Sequence, residues 1–276
     1  MQSMQPMQRR LTLAWMATAA LPARAQAPAF DHTHSAWTAL LQRHVLLQRA
    51  GQASQLRYAA VAAERPALQR YLAALSAVQA TQFSAFTRAQ QQAFLINAYN
   101  AFTVELVLTR YPALQSIKDL GGLLSSPWKP AWIPLLGRQL SLDSIEHDLL
   151  RRRGAYDEPR VHFALNCASV GCPMLREEAY VADRLDAQLA QQAQRFMADR
   201  TRNRWNAARG RLELSKIFDW YGDDFRQGHQ GIASLTAFAA RYADVLADAP
   251  AERERIRSES VEVAFLAYDW ALNDAR

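Results

Sequence analysis

The sequence contains little cysteine and little lysine, which limits the number of disulfides and the source of positive charge. Only two cysteines, Cys167 and Cys172, occur among the 276 residues, so at most one internal disulfide can form. Lysine occurs at three positions, which leaves arginine to supply nearly all of the positive charge. No basic run is interleaved with aromatic residues, and this argues against a nucleic-acid partner.

Long apolar runs are also missing, and the one near the start of the chain is short. Residues 1–10 end in Arg9-Arg10, an apolar run extends from Leu11 to Leu21, and Ala23-Arg24-Ala25 is a small-x-small cleavage signal. A membrane-spanning helix needs about 20 apolar residues. These regions predict a signal peptide at residues 1–25, a periplasmic or secreted protein and no stable membrane span after cleavage. The alternative is a helix that stays attached to the membrane.

Cleavage would also reduce the net charge. Residues 1–25 hold three arginines and no acid, so 32 basic side chains fall to 29 while the 26 acidic ones remain. The resulting net charge of +3 is too small to imply a nucleic-acid partner. No linker or internal repeat is visible and half of the residues are hydrophobic, so residues 26–276 are predicted to form a single globular domain.

The segment from Thr87 to Arg110 gives the clearest helical pattern in the chain. Thr87 and Gln90 form a capping box, and the interior is apolar on nearly every side, which is typical of a buried helix. Asn97 and Asn100 lie within it. Buried amides either hydrogen-bond to backbone, as most do, or line a cavity.

A second helix, from Ser141 to Arg153, carries an acid on its apolar face. At 100° per residue Glu146 falls between Leu142 and Leu150, and His147 lies at the flank of that face. A carboxylate in such a position requires a partner.

An alternating pattern predicts a strand from Arg160 to Asn166, in which Val161, Phe163 and Leu165 point to one side and His162 to the other. Long helices with a few short strands indicate an α+β fold. We therefore predict a predominantly helical single domain with a small, mainly antiparallel sheet and a buried central helix.

His162, Cys167 and Cys172 form an H-x4-C-x4-C motif that has three possible interpretations. In the structural one, Cys167 and Cys172 oxidise to a disulfide that shapes a loop, as an exported chain permits. The protein would then be a non-catalytic binding or scaffold protein. In the metal interpretation, these three side chains and either Glu146 or His147 hold zinc.

The catalytic interpretation makes Cys167 a nucleophile that His162 activates, in a thiol-dependent hydrolase or acyl transferase. Cys172 would then be a resolving or structural thiol. Four side chains are candidates to orient the imidazole: Glu146, Asn97, Asn100 and Asp269.

Six stretches of the sequence carry a family resemblance. They are FLINAYNAFTVELVL at 94–108, SIKDL at 116–120, LSLDSIEHDLLR at 140–151, PRVHFALNCASVGCPML at 159–175, LSKIFDWYGDDF at 214–225 and YDWALN at 268–273. Together they resemble the domain of unknown function 547 family, over a core of about 90–273. The resemblance implies exported bacterial relatives and no agreed activity. It places these residues at the family's motif positions: Glu146, His147, His162, Asn166, Cys167, Ser169, Cys172 and Pro173.

The sequence thus predicts a polar pocket that binds an unknown small molecule or peptide, without a cofactor. The predicted catalytic residues are Cys167, His162 and Glu146. The predicted binding residues are Asn97, Asn100, His147, Asn166, Ser169 and Cys172.

Overall fold

A computed structural model of the protein describes residues 29–122 and 126–275. The predicted signal peptide, residues 1–25, lies outside the described residues, so cleavage and export remain predictions.

Helices dominate the regular structure, and the predicted mostly helical α+β single domain is confirmed. The helices are α1 (Ser35–His44), α2 (Tyr58–Ala63), α3 (Arg65–Ala77), α4 (Ala80–Ser84), α5 (Arg88–Leu108), a π-helix (Ser144–Leu150), α6 (Val161–Ala164), α7 (Leu185–Ala198), α8 (Ile217–Trp220), α9 (Leu235–Ala240), α10 (Ala243–Leu246) and α11 (Pro250–Arg257). Short 3-10 turns span Arg49–Gly51, Ile117–Leu120, Ala182–Arg184, Gly222–Phe225 and His229–Gly231.

The strands of the described residues form three small sheets. They are β1 (Val45–Gln48), β2 (Ala53–Leu56), β3 (Ile133–Leu135), β4 (Arg138–Leu140), β5 (Arg204–Asn206), β6 (Arg211–Leu214) and β7 (Val263–Phe265). Pairs β1–β2, β3–β4 and β5–β6 are antiparallel, with Trp205 opposite Leu212 in the third, whereas β7 adds to β6 in parallel. The predicted small and mainly antiparallel strand content is therefore confirmed, although it is divided among three places.

Helix α5 is the buried central helix that the sequence predicts. Every residue of α5 from Gln92 to Glu105 is buried. Thr87 accepts a hydrogen bond from the backbone of Gln90, and the Gln90 side chain accepts one from the backbone of Thr87. The capping box satisfies two amide groups that an isolated helix start would leave unpaired.

Two hydrophobic clusters pack on either side of the segment that carries the motif. The first surrounds α5 and contains Val161 and Leu165. The second is built largely from phenylalanines and contains Phe163, whose ring stacks on Phe196 with centroids 5.0 Å apart.

The predicted strand at Arg160–Asn166 is wrong, because its centre forms the single helical turn α6. Alternation places Val161, Phe163 and Leu165 on one face, whereas in the structure Phe163 enters a different cluster from the other two. A short segment buried on both sides has no periodicity that separates a strand from a helical turn.

The C-terminal segment, residues 268–275, runs between distant parts of the chain. Isolated antiparallel bridges join Ala271 to Ser116 and Leu272 to Ser169, and a parallel bridge joins Asp274 to Leu56. The loop after α6 is thereby docked on the end of the chain. Across 29–122 and 126–275, no helix is both long and apolar enough to cross a membrane.

Candidate active site

A cavity of about 300 Å³ lies beside the loop that follows α6. Five of the predicted catalytic and binding residues line it together: Glu146, His147, His162, Cys167 and Cys172. Aromatic side chains supply much of the remaining wall: Tyr99, Trp128, Trp220, Tyr221, Tyr268 and Trp270. The motif imidazole and both sulfurs therefore face one space.

Cys167 and Cys172 are free thiols in this structure, so the predicted disulfide is not found. The backbone N–H of Cys167 donates to Sγ of Cys172 at 2.8 Å. Cys172 is buried, whereas Cys167 is partly exposed to the cavity. The five-residue separation brings the cysteines together, as the disulfide interpretation required, but the contact is a hydrogen bond.

The two thiols differ strongly in acidity. The pKa of Cys167 is lowered to about 7, because a hydrogen bond with Cys172 and smaller effects of Tyr268 and Ser169 together outweigh the raising effect of burial. The Tyr268 hydroxyl lies 3.1 Å from Sγ of Cys167. Burial raises the pKa of Cys172 well above its usual value. Cys167 is therefore the thiol that ionises near neutral pH, and Cys172 stays protonated.

Buried amides hold the backbone of this loop in place. Asn100 donates to the carbonyl of Ala164 at 2.9 Å and accepts from the N–H of Asn166 at 2.8 Å. Asn166 in turn donates to the carbonyl of Pro173 and accepts from the N–H of Ala168. Ala168 has a φ of +66°, a conformation that most residues avoid. These bonds fix Cys167 between two constrained neighbours.

Close packing fixes the far side of the same loop. The N–H of Gly171 donates to the carbonyl of Asp269 at 2.8 Å. A Cβ at Gly171 would lie 2.9 Å from the backbone N and O of Asp269. Glycine is therefore the residue that allows the two backbones to approach.

His162 is held by a carboxylate that the sequence analysis did not select. Its Nε2 lies 2.7 Å from Oδ2 of Asp224, so the ring donates there and Nδ1 is the basic nitrogen of the neutral form. Arg151 binds both Asp224 oxygens, at 2.7 and 3.2 Å. Burial alone would raise the pKa of Asp224, but hydrogen bonds from His162 and Arg151 hold it well below its usual value. Tyr221 stacks on the imidazole with ring centroids 4.1 Å apart.

Glu146 reaches the cavity from the π-helix. The N–H of Arg151 bonds to the carbonyl of Glu146, five residues earlier, and Ser141 caps the start of the segment by accepting from the N–H of Ser144 at 2.9 Å. Wide turns of this kind occur frequently at functional sites. Glu146 is buried as predicted, and it hydrogen-bonds Tyr221. Burial raises the pKa of Tyr221, and the charge and hydrogen bond of Glu146 add to this effect.

Four of the predicted site residues do not line the cavity. Asn97 forms two hydrogen bonds with the backbone of Tyr180, at 2.7 and 3.0 Å, and Asn100 and Asn166 hold the loop. Ser169 is buried, with its hydroxyl 3.6 Å from Sγ of Cys167. The amides of α5 thus bond to backbone, as most buried amides do.

The residue that orients His162 is also different from all four candidates. Asn97 and Asn100 bond to the backbone of Tyr180 and Ala164, Glu146 bonds Tyr221, and Asp269 packs against Gly171. The sequence did contain a signal for the correct partner, because Asp224 lies in the motif stretch at 214–225.

The metal interpretation finds no support in the geometry. Within the described part of the chain, no three His, Cys, Asp or Glu side chains come together in a way that could hold a metal ion.

Comparison with known protein families places part of the chain in a described family model. Residues 83–197 match the family described as protein of unknown function, DUF547. The chain resembles the DUF547 family. The matched range includes Glu146, His162, Cys167 and Cys172, whereas Asp224 and Tyr268 lie beyond it. The comparisons with curated proteins and with solved structures found no match.

Proposed function

We propose that the protein is a thiol-dependent hydrolase or acyl transferase in which Cys167 is the nucleophile and His162 the general base. The observation that carries the proposal is the pairing of a thiol whose pKa is lowered to about 7 with a His162–Asp224 hydrogen bond at the same cavity. A nucleophile, a base and a group that orients the base are the parts that nucleophilic catalysis requires.

The chemistry would proceed through an acyl-enzyme. His162 takes the proton of the Cys167 thiol, and the resulting thiolate attacks the carbonyl carbon of an acyl substrate. The leaving group departs with that proton from the imidazolium, which returns to its neutral form. The imidazole then removes a proton from water or another acceptor, which attacks the thioester and regenerates the thiolate. Asp224 remains ionised throughout and stabilises the imidazolium, in the manner of an acid that orients a catalytic histidine.

The reactivity of the two thiols provides a direct test of this proposal. We expect iodoacetamide to label Cys167 much faster than Cys172 at pH 7 in the native protein, with a rate that is half-maximal near pH 7 because the pKa of Cys167 is about 7. We also expect p-nitrophenyl acetate to give a burst and an acetyl adduct on the Cys167 peptide in mass spectrometry. Cys167→Ser is the control and should abolish both signals. Equal labelling of the two thiols, or an adduct elsewhere, would contradict the assignment.

We also propose that the protein acts in the periplasm or outside the cell. The signal-peptide pattern of residues 1–25 supports this location. Expression of the full chain in a bacterium should yield a mature form that begins at Gln26, as measured by intact mass. An Ala25→Arg variant should block processing. A full-length cytoplasmic protein would contradict the proposal.

A further inference from the structure

Aromatic rings form a continuous part of the cavity wall. Tyr268 and Trp270 have ring centroids 4.5 Å apart, and Trp220 lies 4.9 Å from Tyr268 and 5.6 Å from Trp270. Trp128 extends the group, 6.1 Å from Trp270. Trp220 is 44% exposed although it belongs to this wall. Ring faces of this kind attract cations through the negative potential of the π system.

Carboxylates supply the charge of the same cavity. Asp143 and Glu146, at the π-helix, both line it. Burial raises the pKa of Asp143, and the nearby His147 and Lys129 offset part of this effect. Nε2 of His147 lies 4.0 Å from Oδ1 of Asp143. Among the described lining residues there is no lysine or arginine to neutralise either acid.

Two basic side chains near the cavity have other contacts. Arg151 binds Asp224, and it also donates to Nδ1 of His147 at 2.6 Å. Lys118 has its Nζ 4.9 Å from the ring centre of Trp270 without lining the cavity. This aromatic group therefore already attracts one ammonium group of the chain itself.

We propose that the ligand group entering this cavity is an alkylammonium, so that the substrate of Cys167 is a positively charged amine or quaternary-ammonium compound. This inference rests on the proposed function and names the substrate class for the same site. The aromatic wall would contact the alkyl surface of the cation, and Asp143 and Glu146 would balance its charge. Clefts lined with one sign of charge raise the local concentration of the opposite ion by about 10- to 1000-fold.

Three iodoacetamides with the same reactive group and different tails test the charge preference. Iodoacetamide is neutral, and the other two carry a 2-(trimethylammonio)ethyl or a 2-sulfonatoethyl group on the amide nitrogen. In each reaction the Cys167 sulfur forms a bond to carbon and iodide leaves. After each rate is divided by the rate with free mercaptoethanol, we expect the cationic probe to exceed the anionic one by at least about tenfold at low salt, and by less at high salt.

Matched variants assign the preference to the cavity. Glu146→Gln should reduce the ratio several-fold, whereas Asp148→Asn removes the same charge from an exposed position of the same helix and should not change it. Trp220→Leu should slow the cationic probe more than the anionic probe and so lower the ratio of their rates. Equal normalised rates for all three probes would indicate a neutral ligand and would overturn the proposal, while fast iodoacetamide labelling would leave the proposed function standing.

A binding measurement that does not use the thiol tests the cation site independently of the thiol mechanism. In the Cys167→Ala variant, tetramethylammonium should change the tryptophan fluorescence saturably, and neopentyl alcohol, a neutral molecule of similar shape, should bind at least about tenfold more weakly. Failure of this preference overturns the alkylammonium proposal even if Cys167 proves reactive. A clear preference in a protein whose Cys167 is unreactive would support the cation site and reject the thiol mechanism.

Discussion

The loop at residues 166–173 has two sides, and its buried polar groups behave differently on each. Behind the loop, Asn100 and Asn166 satisfy backbone groups with bonds of 2.8–2.9 Å. In front of it, the sulfur of Cys167, the imidazole of His162 and the carboxylate of Glu146 border an open space. Polar groups that are fully paired with backbone stabilise a structure, whereas polar groups arranged around a cavity are available to a ligand.

The largest expected effect comes from Asp224→Asn, which tests the cavity side. An amide at this position cannot stabilise an imidazolium, so we expect deacylation of the acetyl adduct to slow by about 100-fold or more. Stopped-flow measurement with p-nitrophenyl acetate gives this rate, and Asp223→Asn, one residue away and not a partner of His162, is the control. An unchanged rate would mean that His162 needs no orienting group.

The same variant has a pH-dependent effect on stability. The pKa of Asp224 lies below its usual value in the folded protein. Its contribution is therefore fully present above about pH 4, the unfolded-state value, and declines as the pH falls toward the folded-state value. We expect Asp224→Asn to lower the free energy of unfolding by about 2 kcal/mol at pH 7. In urea titrations the difference should shrink below about pH 4, and a constant difference would contradict the linkage.

Asn100→Ala tests the other side of the loop. The change leaves the carbonyl of Ala164 and the N–H of Asn166 without partners, and we expect it to lower the free energy of unfolding by about 3 kcal/mol. Urea denaturation measures this loss.

Cys167→Ala should have the opposite effects, because it should change the free energy of unfolding by less than about 1 kcal/mol and abolish activity. If Asn100→Ala and Cys167→Ala had the same effects on stability and activity, the distinction between the two sides of the loop would be wrong.

Cys172→Ala should produce an intermediate effect on reactivity. Without the Cys172 hydrogen bond, the pKa of Cys167 should rise from about 7 toward the value of a free thiol. Since less thiolate is then present, alkylation at pH 7 should slow by about tenfold and its pH midpoint should move upward. A rate unchanged from the wild type would show that Cys172 plays no part in the acidity of Cys167.

Tyr268→Phe should have the smallest effect. It removes one hydroxyl 3.1 Å from Sγ of Cys167 and keeps the aromatic ring in the cavity wall. We expect the alkylation rate at pH 7 to fall by about threefold, because one of several hydrogen bonds to the thiolate is lost. The normalised preference for the cationic probe should be retained, since the ring face remains.

The sequence predicted the elements whose signals are local. The capping box of Thr87 and Gln90 predicted the start of α5, and the uninterrupted apolar interior predicted that the helix is buried. The placement of Glu146 on an apolar face was also confirmed, even though the segment forms a π-helix. In both cases the deciding interactions lie within a few residues of each other, where sequence patterns are informative.

The remaining features depend on contacts between distant residues. Val161–Ala164 is helical because Asn100 and two separate hydrophobic clusters hold it, and none of those contacts is visible in the alternation of its side chains. The partner of His162 is 62 residues away along the chain. A sequence pattern identified His162 and Cys167 as chemical groups, but the choice among Glu146, Asn97, Asn100, Asp269 and Asp224 required the fold.

The docking of the loop on residues 268–275 affects the order in which the protein can mature. Val170 and Gly171 donate to the carbonyls of Ala271 and Asp269, and Tyr268 contacts the sulfur of Cys167. These partners are synthesised after the loop. A nascent polypeptide therefore carries Cys167 for about a hundred residues of synthesis before the groups that hold the loop exist. The environment that lowers the pKa of this thiol is complete only after that later segment has been made.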